Sequence, residues 1–109
     1  MTSSKLDRID HVAVAVSDIA RAVEWYTRTL HCEVRYQDST WALLGFANMS
    51  LALVVPSQHP PHLGVFRADA AAFGLLQTHR DGTRSCYLRD PSGNTLEVLA
   101  AGGRARGRR

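Results

Sequence analysis

Cysteine is scarce in this chain: two in 109 residues, Cys32 and Cys86, with no CxxC pair. That excludes a disulfide-built scaffold and a cysteine-rich zinc module. No apolar run approaches the ~18 residues that a membrane helix needs, and the N-terminus lacks the apolar centre of a signal peptide. These absences imply a soluble, cytoplasmic chain with reduced thiols. Acidic residues are also in the minority, 10 against 13 Lys and Arg, for a formal charge of +3. The excess is local, because four arginines lie in GGRARGRR (Gly102–Arg109), and without them the body is near −1. Nothing in that body reads as a nucleic-acid surface. By composition, residues 101–109 form a disordered basic tail; an arm for nucleic acid or an anionic surface is the sharper alternative.

What the chain does have is a pattern that occurs twice. Its length suits one domain, and hydrophobic residues make up 45% of it, enough for an ordinary core. Residues 1–7 are a polar, flexible lead. A strand is expected over about Arg8–Val16, with Val12, Val14 and Val16 on a core face and His11, Ala13 and Ala15 on a small-residue face. Ser17 or Asp18 can cap a helix over Ile19–Leu30, whose apolar stripe is Ile19, Ala22, Val23, Tyr26 and Leu30. Strands follow at about Cys32–Gln37, Thr40–Phe46 and Met49–Val55, and Ser57–Pro61 is a loop. The order then restarts: a strand His62–Arg67, a helix Ala70–His79 opened by Asp69 with Phe73 and Leu76 inward, and a final hairpin. His11 precedes Asp18 by seven residues, and His62 precedes Asp69 by the same seven. The expected fold is α+β: two βαβββ modules in tandem, about 8–56 and 62–100, forming a cupped mixed sheet. The second module is abbreviated, because only Arg80–Gly82 separates its helix from the last hairpin.

That hairpin is Ser85–Leu99, SCYLRDPSGNTLEVL. Pro91 presets φ, Gly93 accepts positive φ, and Asp90 and Asn94 bond nearby backbone, so DPSGN is a turn between two strands. Glu97 is the anomaly, a carboxylate mid-strand between Leu96 and Val98. There it must be paired, solvated or bound to a metal. If the modules pack about a pseudo-twofold axis, His11 and His62 become equivalent and can converge with Glu97 on one sheet face. Two imidazoles and one carboxylate with open positions suit Fe(II), Mn, Ni, Co or Zn. Aligning the hairpins puts Leu51 where module two has Glu97, so no fourth protein ligand is expected.

IDHVAVAVSDIARAVEWYTRTL (Ile9–Leu30), HLGV (His62–Val65) and YLRDPSGNTLEV (Tyr87–Val98) together resemble the vicinal oxygen chelate superfamily. Glyoxalase I, fosfomycin resistance enzymes, extradiol dioxygenases and bleomycin resistance proteins belong to it. The likeness covers roughly residues 8–100, and DPxGNxxE is its most specific part. It implies a divalent metal ion on His11, His62 and Glu97 that chelates two adjacent substrate oxygens. In the extradiol pattern a tyrosine lies ten residues before the glutamate, as Tyr87 does, with a histidine upstream near His79. The resemblance therefore makes Tyr87 and His79 candidate catalytic residues. The sequence departs from the extradiol pattern at Gln77 and Cys86, from glyoxalase I at Leu51, and from the family's helix-ending glycine at His31.

Each assignment has a plainer counterpart. His11 could be a strand histidine bonded to backbone, and His59 competes with His62 as a ligand. Glu97 could pair with Arg35 or Arg89. Tyr87 could be a core tyrosine, and His79 a histidine at a helix C-terminus. Trp25, Tyr26 and Trp41 fit a core or a dimer interface, and the cysteines fit as small core residues. The resemblance implies a small metal-dependent enzyme acting on a small molecule with two vicinal oxygens, by dioxygenation, isomerisation or lyase chemistry. The alternative is a metal-independent, ligand-sequestering module of the bleomycin-resistance type. A homodimer is expected in either case.

Overall fold

The computed structural model describes residues 6–100. The basic tail and most of the lead lie outside the described residues. Strand β1 (Arg8–Ala15) leads to α1 (Ile19–Thr29), and β2 (Glu33–Gln37), β3 (Trp41–Gly45) and β4 (Ser50–Val54) complete the first module. The second module holds β5 (His62–Arg67), a 3-10 turn at Ala70–Phe73, β6 (Gln77–Thr78), β7 (Arg84–Arg89) and β8 (Thr95–Ala100). All eight strands of the described residues join in one curled mixed sheet, a half-barrel, ordered β2-β3-β4-β1-β5-β8-β7-β6. The order is symmetric about the antiparallel seam between β1 and β5. In each module the first strand lies parallel to the last, β1 with β4 and β5 with β8. No described helix is long and apolar enough to cross a membrane.

Local chemistry accounts for the first module. Asp18 caps α1 by accepting a hydrogen bond from the Arg21 amide at 3.0 Å. Ile19 and Val23 face the sheet and bury against Ala42, Leu44 and Leu53. Alternation along β3 and β4 sends Leu43, Ala52 and Val54 to the opposite, concave face, where they pack with Ala13. The helix ends at Leu30 in extended geometry, with no residue but glycine at positive φ in the described chain. His31 therefore needs no left-handed conformation, and the family's glycine can be absent there.

The second module departs from expectation in its helix. Ala70–His79 forms only one 3-10 turn, Ala70–Phe73. Asp69 makes no side-chain cap, because its carboxylate is held by Arg67 at 2.9 and 3.0 Å. Without a cap, the four residues before Gly74 cannot offset the cost of nucleating a helix. Leu76 still packs inward beside Ala70, Cys86 and Val98, but Phe73 is partly exposed under the Arg67 guanidinium. His79 thus follows the two-residue strand β6 rather than ending a helix. The DPSGN turn forms as expected: Asp90 Oδ1 accepts from the Ser92 and Asn94 amides at 2.9 and 2.8 Å, and Gly93 takes φ 88°.

Strand register corrects one equivalence. Ala13 on β1 pairs with Ala52, and Gly64 on β5 pairs with Glu97. Ala13 and Gly64 each lie two residues past the equivalent histidines, so Ala52 rather than Leu51 is the counterpart of Glu97. Aligning by turn residues misplaced it by one, because the two hairpin turns differ in length.

Candidate metal centre

His11 lies on β1, His62 opens β5 and Glu97 lies on β8. These three strands are adjacent in the sheet, and all three side chains point into the cup of a single chain. Gly64 makes the convergence possible. It pairs with His11 on one side and Glu97 on the other, and a Cβ there would lie 2.2 Å from His11 Cε1. The missing side chain lets the His11 ring lie across β5 toward the carboxylate.

The donor atoms form a near-equilateral triangle. His11 Nε2 and His62 Nε2 are 2.9 Å apart, and each is 3.0 Å from Glu97 Oε1. His62 Nδ1 faces the Pro60 carbonyl at 2.7 Å, which can only accept, so Nδ1 carries the hydrogen and Nε2 presents its lone pair. His11 Nδ1 likewise meets the buried Asp10 carboxylate at 2.7 Å. Three electron-pair donors this close repel one another unless a cation, whether protons or a metal ion, sits among them. Three mutually cis donors of an octahedral ion at about 2.1 Å would lie about 3.0 Å apart, so the triangle fits a divalent ion of that geometry. Both imidazoles are oriented from behind by an acceptor on Nδ1, the usual outer-shell arrangement of metal-binding histidines.

Glu97 is buried and engaged at both oxygens. Oε2 accepts from Ser85 Oγ at 2.6 Å and lies 3.3 Å from His79 Nε2. With protons rather than a metal ion in the triangle, burial raises the Glu97 pKa, but hydrogen bonds from His11, His62 and His79 outweigh it and hold the carboxyl far below its ordinary range. Because Ser85 gives its hydrogen to the carboxylate, the 2.6 Å contact between His79 Nε2 and Ser85 Oγ requires His79 to donate. Tyr87 stands opposite Glu97 across β7 and β8, with its ring 5.6 Å edge-to-face from His62. Burial and the Glu97 charge push its phenol well above the ordinary range, so it stays protonated at neutral pH.

A cavity of about 230 Å³ opens onto the triangle, with His59, His79, Arg80, Tyr87 and Trp41 in its wall. His59 lines it without joining the three donors. Arg35 and Arg89 are not the partners of Glu97: Arg35 lies against Gly45, and Arg89 pairs with Thr95 at the far end of the hairpin. Trp41 stacks on Tyr36 at 4.5 Å, packs against the buried cluster of Ala13, Leu43, Ala52 and Val54, and also lines the cavity.

Sequence reasoning missed Asp10, Ser85, Arg80 and Gly64. Simple alternation puts Asp10 and His11 on opposite faces of β1. The register shift between Ile9 and His11 brings both inside, and no residue type announces that bulge.

The family model for the Glyoxalase/Bleomycin resistance protein/Dioxygenase superfamily matches residues 8–75. The chain belongs to this superfamily. Solved structures share the superfamily fold. The Streptomyces coelicolor methylmalonyl-CoA epimerase (E43L) complex with 2-nitronate-propionyl-CoA is 21% identical over 90% of this chain and 97% of that one, with TM-score 0.68. A superfamily member from Vibrio splendidus 12B01 is 12% identical over 87% of this chain and 99% of that one, at TM-score 0.65. An extradiol ring-cleaving dioxygenase from B. fuscum is 20% identical over 85% of this chain but 32% of its own length, at TM-score 0.59. A search of the curated proteins finds no match. Superfamily membership thus rests on the family model, and at these identities the structures speak to the fold alone.

Proposed function

We propose that this chain is a small metal-dependent enzyme in which His11, His62 and Glu97 hold a divalent ion, drawn from Fe(II), Mn, Ni, Co and Zn. Its substrate would offer two vicinal oxygens, and its chemistry would be extradiol-dioxygenase-like or a glyoxalase-like lyase or isomerase reaction. The observation that carries this reading is the triangle of lone-pair atoms at 2.9–3.0 Å, held from behind by Asp10 and Pro60. A bound divalent ion would supply Lewis-acid stabilisation of negative charge developing on the two oxygens. The chain supplies the rest. Tyr87, kept protonated, donates a hydrogen bond toward a bound oxygen. His79 holds a proton at Nε2 beside the site, linked through Ser85 to the Glu97 carboxylate. Trp41 and Val54 give the cavity an apolar side that excludes water.

The ligands come from one chain, so pairing is not needed to complete the site. A homodimer remains the proposal for the exposed apolar residues, Leu75 at 90% exposure and Ile9 at 50% among them.

Metal titration of the purified chain, read by calorimetry and elemental analysis, tests the centre. One ion per chain is expected in the wild type and none in His11→Ala or Glu97→Ala. Turnover is then screened with catechols, methylglyoxal–glutathione and fosfomycin-type epoxides. Absence of stoichiometric binding by any of the five metals would overturn the reading. Tight binding of an aromatic ligand to metal-free protein would favour the ligand-sequestering module instead.

A further inference from the structure

Among the described residues, Arg80 is the one arginine in the cavity wall, and Glu97 the one carboxylate. Arg80 follows β6, the outermost strand of module two, and its Nη1 reaches Asp38 Oδ2 at 2.6 Å. Asp38 follows β2, the outermost strand at the other end of the sheet. The pair therefore bridges the two rims of the cup above the proposed centre.

The two partners depend on this contact unequally. Asp38 is satisfied without it: Oδ1 accepts from the Thr40 amide at 2.7 Å, the Thr40 hydroxyl at 2.8 Å and the Trp41 amide at 3.0 Å, while Oδ2 accepts from the Tyr36 hydroxyl at 2.6 Å. These bonds tie Asp38 to its own turn. Arg80 meets Asp38 through one nitrogen, its side chain is 61% exposed, and a guanidinium carries five donors in a flat fork. An exposed pair of this kind contributes little to stability. Breaking it leaves no buried acceptor orphaned, so Arg80 can be recruited by another anion at small cost.

The cavity is also small. At about 230 Å³ it falls below the ~300–1,000 Å³ of sites for drug-sized ligands, so a molecule chelated at the centre would lie close to the wall that holds Arg80. We infer that the substrate is a small acid, carrying a carboxylate or similar anionic group besides its two vicinal oxygens, and that Arg80 leaves Asp38 to bind that group bidentately. Trp41, whose amide Asp38 holds, presents the apolar wall on the same rim. The inference rests on the metal-dependent reading above and narrows its substrate class.

The test compares catechol with 3,4-dihydroxybenzoate, which differs by one carboxylate. Both are titrated into full-length protein loaded with Co(II), with affinity read by calorimetry and the visible spectrum of the ion. Wild type should prefer the acid by about tenfold or more, the scale of a charge-assisted bidentate contact. In Arg80→Met the ratio should fall to within about threefold of one, and Arg80→Lys should recover part of it, since a lysine supplies charge without the fork. Melting curves and Co(II) affinity of both variants should match wild type, as the side chain is exposed. Equal affinity of wild type for the two diols, or a preference that survives Arg80→Met, overturns the role of Arg80 and leaves the metal centre standing. Binding of neither diol to Co(II)-loaded wild type overturns both.

Discussion

The two modules share strand order and the position of a histidine, yet they hide different things. Module one covers its outer face with an eleven-residue helix and lines its half of the cup with Ala13, Leu43, Ala52 and Val54. Module two has a four-residue turn for a helix and a two-residue second strand, and its half of the cup holds Glu97, Ser85, His79 and Tyr87. At the register position where module two has Glu97, module one has Ala52. Module one thus adds only His11 and its partner Asp10 to the buried polar cluster of the cup, while module two supplies His62, Glu97, Ser85 and His79. A duplicated scaffold allows this, because one copy can carry most of the packing while the other accommodates most of the buried polar groups of the cup.

Glu97→Ala breaks the contrast outright by making the two positions alike. It should abolish stoichiometric metal binding, a loss larger than the ~10–100-fold seen for outer-shell changes, as measured by calorimetry. The reverse change, Ala52→Glu, sharpens it. The added carboxylate should lower the melting temperature of metal-free protein through desolvation, and Zn or Ni should restore more of that loss than they add to wild type. Gly64→Ala places a methyl against the His11 ring and should weaken metal binding together with a stability loss of about 1–3 kcal/mol, read by denaturant unfolding. Asp10→Asn keeps the size but weakens the acceptor behind His11, so affinity should fall by about 10–100-fold while the fold persists. The acid limb of stability should also differ. Glu97 has its pKa depressed in the folded state, so its contribution is complete above the unfolded value near ~4.3 and is lost as pH falls from there. Denaturation between pH 5 and 2 should accordingly be less steep for Glu97→Gln. The smallest effect belongs to module one: Asp18→Ala removes the α1 cap and should cost about 1 kcal/mol without altering metal affinity.

Much of this was legible in the chain. The seven-residue interval from His11 to Asp18, repeated from His62 to Asp69, announced the duplication. The apolar stripe of α1 and the DPSGN turn located their elements to within a residue or two. Glu97 stood out because a carboxylate amid Leu96 and Val98 conflicts with its own strand. The short helix of module two was not legible, since Asp69 is a good cap by type and only the folded chain diverts it to Arg67. Asp10 escaped notice because a bulge reverses the face that alternation assigns it. Arg80 escaped because its importance lies in where the two ends of the sheet meet.

The residues alone therefore determined the repeated βαβββ plan, the three metal-ligand candidates and the superfamily likeness, since periodicity, turn chemistry and buried charge are properties of short stretches. Tertiary structure decided the rest: the Ala52 counterpart, the Asp10 and Ser85 contacts, and the bridge from Arg80 to Asp38. Each of these depends on strand register or sheet curvature, which are set by how separate strands pack together or by a local irregularity that no residue type encodes.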